Sequence, residues 1–283
     1  MNERGFATKH GGLTTALTWV PEPALFEFAR FVGAEASSAA GALVTTARAV
    51  NADIVWVPAR AAWALEAIEL LVAEGRRPAW AVDGVLSRVA NEKGWGATIR
   101  RSASAPEGLV STLDRALHDV LDATRSGEEA GCDLLVVADD LAGPAGWLVS
   151  PDFALDLLVP SYRVAAHSWR GSAVFHSDGD VRALMPALAA AGFAGVHLAS
   201  IHADDISAAA YSAWSAGLAV LGGVPATALD DDTATEAAVG AAKLSAMGAL
   251  VVADDGGITV APQLGRLQRA LAAAREALRD QSQ

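Results

Sequence analysis

Short runs that are apolar at every position, rich in Val and Ile, alternate along this chain with longer Ala- and Leu-rich stretches of helical period. Candidate strands fall at 54–57, 78–82, 133–138, 172–176, 195–199, 218–222 and 249–253. A strand that is apolar on both faces needs cover on both, which a parallel sheet wrapped by helices supplies. Several helix ends are legible as well. Ser104 and Glu107 frame a capping-box pattern around Pro106, and Thr233 and Glu236 repeat it. Ser150–Pro151–Asp152 offers an N-cap, a first-turn proline and a first-turn acid for a helix running past Tyr162. Leu264, Leu267, Leu271, Ala274 and Leu278, at steps of three and four, mark a closing amphipathic helix.

Alternating β and α elements imply a parallel sheet with right-handed crossovers, and in a chain of 283 residues the expected fold is an α/β (β/α)8 TIM-type barrel. One domain over residues 1–283 is expected. Seven strands are evident, so the eighth lies within the first hundred residues or the N-terminal part is incomplete. Neither a G-x-G-x-x-G fingerprint nor a P-loop is present, which lowers a nucleotide-binding reading. A hydrophobic content of 52% provides for a large core. The formal charge of −12 opposes nucleic-acid phosphates and anionic membrane surfaces as partners. Cys132, the single cysteine, excludes an intrachain disulfide framework and fits a reducing compartment. With no signal-peptide core and no apolar run of roughly 18 residues, a soluble cytoplasmic protein is expected.

Residues just past the C-terminal ends of parallel barrel strands converge on one mouth. Asp139 and Asp140 follow DLLVVA, and only one of two successive residues can point into a barrel. A similar acidic pair closes the run at 252–255. His176 and Asp178 are two apart, which places them on one face of an extended strand end. An imidazole and a carboxylate so placed can share a metal, or the carboxylate can orient the imidazole for proton transfer. His197, between Val196 and Leu198, is a candidate for the barrel interior near the mouth; His202 and Asp204 read as a helix entry.

The order DLLVVADDLAG, LVSPDFALDLLVPSYR, AVFHSDGDVRAL, GLAVLGGVPATAL and GALVVADDGGITVAP resembles the uroporphyrinogen decarboxylase superfamily. The "(I/L)SP-x-x-(F/Y)" helix start corresponds to Val149–Ser150–Pro151–Asp152–Phe153, "H-x-C-G" to His176–Ser177–Asp178–Gly179, and the "GG(I/V)" turn to Gly222–Gly223–Val224. The match runs from about residue 131 to the C-terminus. It implies a (β/α)8 barrel with its site in the mouth, acting either as a porphyrinogen decarboxylase or as a methyltransferase that moves methyl groups between corrinoid proteins and thiols such as coenzyme M.

In the methyltransferase branch a zinc ion is held by a carboxylate, the His and Cys of H-x-C, and a later Cys. Here Asp178 stands at the first Cys position and Asp255–Gly256 near the second. The ligand set so implied, Asp139, His176, Asp178 and Asp255, has hard oxygens that suit Mn, Fe, Mg or a Lewis-acidic Zn better than a thiolate-rich zinc site. In the decarboxylase branch an Arg-rich opening motif binds substrate carboxylates, whereas this chain offers only Arg4, Lys9 and His10 there. Methyl transfer with a corrinoid or other small methyl carrier is therefore preferred over decarboxylation. A barrel that binds a corrinoid or tetrapyrrole without catalysis, and an unrelated Asp–His barrel lyase, stand as alternatives. The roles expected are catalytic for His176, Asp139 and Asp140, and substrate-binding for Trp147, His197 and Asp140. The metal ligands would be His176, Asp178, Asp139 and Asp255. Partners expected are a small-molecule substrate, a corrinoid protein and, as an option, a second copy of the chain; the other tryptophans, His118, His167 and Tyr162 read mainly as packing or surface residues.

Overall fold

A computed structural model describes residues 14–199, 206–245 and 247–281. Eight parallel strands close into a barrel: β1 (Thr15–Leu17), β2 (Ile54–Pro58), β3 (Arg77–Asp83), β4 (Leu134–Ala138), β5 (Ser172–Asp178), β6 (Gly195–Ala199), β7 (Ala219–Val224) and β8 (Leu250–Asp254). Each strand pairs with its neighbours in sequence, and β1 joins β8 to close the ring. All seven strands expected from the sequence are present. The eighth, β1, does lie in the first hundred residues, where three residues leave too short a run to stand out. His202 and Asp204, like Arg4, Lys9 and His10, lie outside the described residues.

The two-sided burial of the strands follows from two cores. Inward-facing Ala16, Ile54, Trp56, Leu134, Val136, Val174, Leu221 and Val251 pack together inside the barrel. Their alternates, among them Leu17, Val55, Leu135, Val137, Phe175, Val220 and Val252, pack outward against the helices. This parity decides which strand-end residues can reach the mouth. Continuing it places Asp140, Asp178 and Asp255 on the inner set and Asp139 and Asp254 on the outer.

The helix after β4 starts as its sequence requires: Ser150 Oγ accepts the Phe153 amide at 3.1 Å, with Pro151 in the first turn. It passes through a π-helical turn at Ala154–Leu158 and continues beyond Tyr162. The closing helix spans Ala261–Gln281. The capping box around Pro106 does not form. Ser104 instead ends the helix Trp95–Ser104, with its hydroxyl donating to the Arg100 carbonyl at 3.0 Å, and Glu107 sits in the 3-10 turn Pro106–Leu109. Pro106 favours an extended residue before it, which stops the first helix and separates the two box positions. At the other expected box the helix does begin at Ala234, while the Thr233 amide and hydroxyl both donate to Asp231 Oδ1 at 2.7 and 2.6 Å. Among the described residues no helix is long and apolar enough to cross a membrane.

Candidate active site and cation-binding group at the barrel mouth

Parallel registration sets His176 of β5 beside Ala138 of β4 on one side and His197 of β6 on the other. Parallel neighbours in register point the same way, so the two imidazoles meet inside the barrel, with Nδ1 to Nδ1 at 2.7 Å. On its far side His197 Nε2 faces the backbone carbonyl of Asp254 at 2.9 Å. A carbonyl only accepts, so His197 Nε2 carries a proton. Burial pushes both imidazoles below their usual range, His176 to about 4 and His197 to about 3, which keeps the pair neutral near pH 7. A neutral His197 protonated on Nε2 has a bare Nδ1 that accepts from His176 Nδ1. His176 must then expose an unprotonated Nε2.

That lone pair stands among carboxylates. His176 Nε2 lies 4.0 Å from Asp140 Oδ1 and 3.8 Å from Asp178 Oδ1, too far for hydrogen bonds. One ligand atom from each of the three residues falls within 4.8 Å of the others. Two metal–ligand bonds of roughly 2.0–2.2 Å span about these distances, so one cation can sit between the three. The electrostatics agree. Burial raises the Asp178 carboxyl to about 6, with the neighbouring Asp140 charge adding to it, and burial raises Asp140 as well. Two partly desolvated carboxylates beside a neutral imidazole lack a positive charge that a cation would supply.

Local structure fixes each member. Asp140 Oδ1 accepts the Asp178 amide at 3.2 Å, which ties the ends of β4 and β5 together. Ser177, on the outer set, accepts the Leu141 amide at 2.9 Å and holds the loop after β4 against the same strand end. Gly179 then turns with φ of +76°, and a Cβ there would come within 2.6–2.7 Å of Gly143 backbone atoms. Only glycine lets the Ala142–Gly143 strand of the small hairpin close over this end of β5.

Asp139 serves a different purpose. Fully buried on the outer face, its carboxyl accepts Leu86 N at 2.9 Å, Ser87 N at 2.6 Å and Tyr162 Oη at 2.7 Å. It thereby caps the helix Val85–Lys93 from outside and pins Tyr162, a role that corrects its expected place among the metal and catalytic groups. Gly84 makes this approach feasible, since a Cβ there would lie 2.5 Å from the Asp139 side chain. Burial raises the Asp139 carboxyl to about 6 despite these donors.

The mouth cavity, about 220 Å³, is lined by Thr18, Trp19, Trp56, the Asp140–His176–Asp178 group, His197 and Asp255. Asp255 reaches it, but its Oδ1 accepts the Ala226 amide at 2.7 Å and burial lifts its carboxyl to about 8. It stands outside the three-residue group and is largely protonated near neutrality. Trp147, in the hairpin after β4, packs against the outer core and is not among the residues lining the cavity, contrary to its expected role. The tryptophans that do line it are Trp19 and Trp56. Trp56 stands edge-on to both imidazoles, with ring centroids 5.5 Å from His176 and 4.9 Å from His197. Its mid-strand position in IVWVP, on the Ile54–Trp56–Pro58 parity, was the available signal. Cys132 is buried just before β4, at the opposite end of that strand from the mouth, and burial pushes its thiol up to about 12.

No family model matches the chain, and no curated protein matches it. Among solved structures, a methyltransferase from Methanosarcina mazei aligns over 96% of each chain with a TM-score of 0.73 at 18% identity. A class V chitininase from Pseudomonas fluorescens Pf-5 aligns over 91% of this chain and 99% of its own, with a TM-score of 0.51 at 11% identity. At these identities the likeness is one of fold: the chain shares the (β/α)8 barrel of the methyltransferase along nearly its whole length.

Proposed function

We propose that this protein is a methyltransferase-type barrel enzyme of the uroporphyrinogen decarboxylase superfamily. In this reading Asp140, His176 and Asp178 hold a divalent cation at the mouth, and a methyl group passes between a corrinoid or other small carrier and a small acceptor. The observation that carries it is the convergence of one imidazole nitrogen, bare by hydrogen-bond logic, with two carboxylates at the C-terminal end of a barrel. The fold shared with the Methanosarcina mazei methyltransferase supports the reaction class, as does the order of motifs from residue 131 onward.

The donor set fits Mn, Fe, Mg or a Lewis-acidic Zn, because it offers two hard oxygens and one imidazole while Cys132 lies away from the mouth. A bound cation would supply Lewis acidity, lowering the pKa of an acceptor heteroatom held beside it. The chain's own residues do the rest. His197 orients His176, the Asp140 and Asp178 carboxylates balance charge, and Trp19 and Trp56 give the cavity an apolar wall. A cavity of about 220 Å³ is smaller than a typical pocket of roughly 300–1,000 Å³ for drug-sized ligands. It takes a small acceptor, and a corrinoid would lie over the rim, presented by a partner protein. Decarboxylation of a polycarboxylate is the weaker reading, since the Asp140 and Asp178 carboxylates at the mouth would repel it.

The test is demethylation of methylcobalamin, followed by its absorbance, with small thiols and amines as acceptors and Mn, Fe, Mg or Zn added in turn. Cation-dependent turnover that is lost in His176→Ala is expected. Thermal stabilisation by cobalamin with no turnover would assign the barrel to binding without catalysis.

A further inference from the structure

The mouth is polarised. Acceptors gather on one side, in Asp140, Asp178 and the bare Nε2 of His176. On the other, a second cavity of about 150 Å³ shares Trp19, Trp56 and His176 with the first and adds Arg60 and Arg88. Arg88 Nε donates to the Asp83 carbonyl at 3.0 Å, which fixes the guanidinium plane. Its two terminal nitrogens have no protein acceptor among the described residues. Arg60 pairs with Asp83 Oδ2 at 3.2 Å, so the one carboxylate in this cavity is already balanced. One net positive charge remains, within a chain of net charge −12. Trp56, which lines the same cavity, has a buried indole N–H with no acceptor. The terminal nitrogens of Arg88, set against a partly apolar wall, call for a ligand that brings acceptors.

We infer that this second cavity binds the carboxylate of a small substrate, seated on the terminal nitrogens of Arg88. The stem lies against Trp19 and Trp56, and the other end reaches Asp140, His176 and Asp178. This names the substrate class of the proposed site and rests on that reading for the reacting end alone. Two parallel N–H groups of one guanidinium match the two oxygens of a planar carboxylate. A single net charge also suits a monoanion better than a phosphate dianion.

Titration of the full chain, read by tryptophan fluorescence, with butyrate, uncharged butyramide and inorganic phosphate tests it. Each probe is run on metal-stripped and on manganese-loaded protein. Butyrate is expected to bind about tenfold or more tighter than butyramide, and tighter than phosphate, in both preparations. Arg88→Met should abolish the preference and leave manganese content unchanged. Arg88→Lys, which keeps the charge without the fork, should retain part of it, and serves if Arg88→Met does not fold. Equal binding of butyrate and butyramide, tighter binding of phosphate, or a preference that survives Arg88→Met overturns the inference. So does a preference confined to manganese-loaded protein, which would place the carboxylate on the cation. A preference that persists in a chain unable to hold any cation would sink the metal reading and leave this one standing.

Discussion

His176 and His197 meet nitrogen to nitrogen at 2.7 Å, and the far nitrogen of His197 ends on the Asp254 carbonyl at 2.9 Å. This chain of donors and acceptors fixes the tautomer of His176 from behind and turns its lone pair to the mouth. Partners of this kind typically contribute tenfold to hundredfold in metal affinity. His197→Phe should weaken manganese binding by about that factor without changing its stoichiometry, whereas His197→Gln, which can still hydrogen-bond, should lose less. Equal affinities in parent and His197→Phe, measured by calorimetric titration, would show that His197 only fills space.

Asp139 predicts a pure stability effect. Asp139→Ala would strand Leu86 N, Ser87 N and Tyr162 Oη, all buried, at a cost on the order of 3 kcal/mol. Gly84→Ala, which drives a Cβ to 2.5 Å from the same side chain, should cost about 1–3 kcal/mol by overpacking. Urea unfolding gives both values. Manganese affinity of the folded Gly84→Ala protein should stay at the parent level, and a large loss would return Asp139 to the metal site.

Gly179→Ala should disturb the site itself. Its φ of +76° and the nearby Gly143 backbone penalise any Cβ, and the strain falls one residue after Asp178. A loss of about 1–3 kcal/mol in stability, accompanied by weaker manganese binding, is expected. Loss of stability with manganese affinity unchanged would separate the turn from the ligand it precedes.

The pH dependence divides by sign. In metal-free protein the unfolded chain protonates both buried histidines below their ordinary value of 6.5, while the fold resists until about 4 for His176 and 3 for His197. Between about pH 6.5 and 4 each imidazole therefore costs stability as pH falls, by up to about 1.4 kcal/mol per pH unit. Asp139 and Asp255 act oppositely: their folded values of about 6 and 8 lie above the ordinary 3.8. Their contribution is full below pH 3.8 and is lost as pH rises to those values. The opposed slopes offset one another in the parent, so the difference between proteins is what to measure. Relative to the parent, His197→Gln should gain stability steadily as pH falls from 6.5 to 4; parallel curves would mean that His197 titrates normally in the fold.

Much of the fold was legible because β2 to β8 are apolar on both faces, which few other architectures demand. Strand β1 was not, since three residues carry no periodicity. At the site, the two-residue step from His176 to Asp178 correctly placed both on one face. Strand parity also holds the distinction between Asp139 and Asp140, but sequence gives no phase until an inward residue such as Val136 is known. The pairing of His176 with His197 depends on the β5–β6 register, a long-range relation that no local pattern encodes. Trp147 is close to Asp140 in sequence but does not line the cavity, because in a barrel the opposite wall supplies such contacts, here from Trp56.

The central claim is that Asp140, His176 and Asp178 together hold one cation. Elemental analysis of protein equilibrated with manganese and then freed of excess by gel filtration tests this most directly, in the parent and in Asp140→Asn, His176→Ala and Asp178→Asn. The expected result is close to one manganese per parent chain and a large loss in each variant, with the barrel intact by circular dichroism. Parent protein that retains no manganese, or variants that retain as much as the parent, would contradict it.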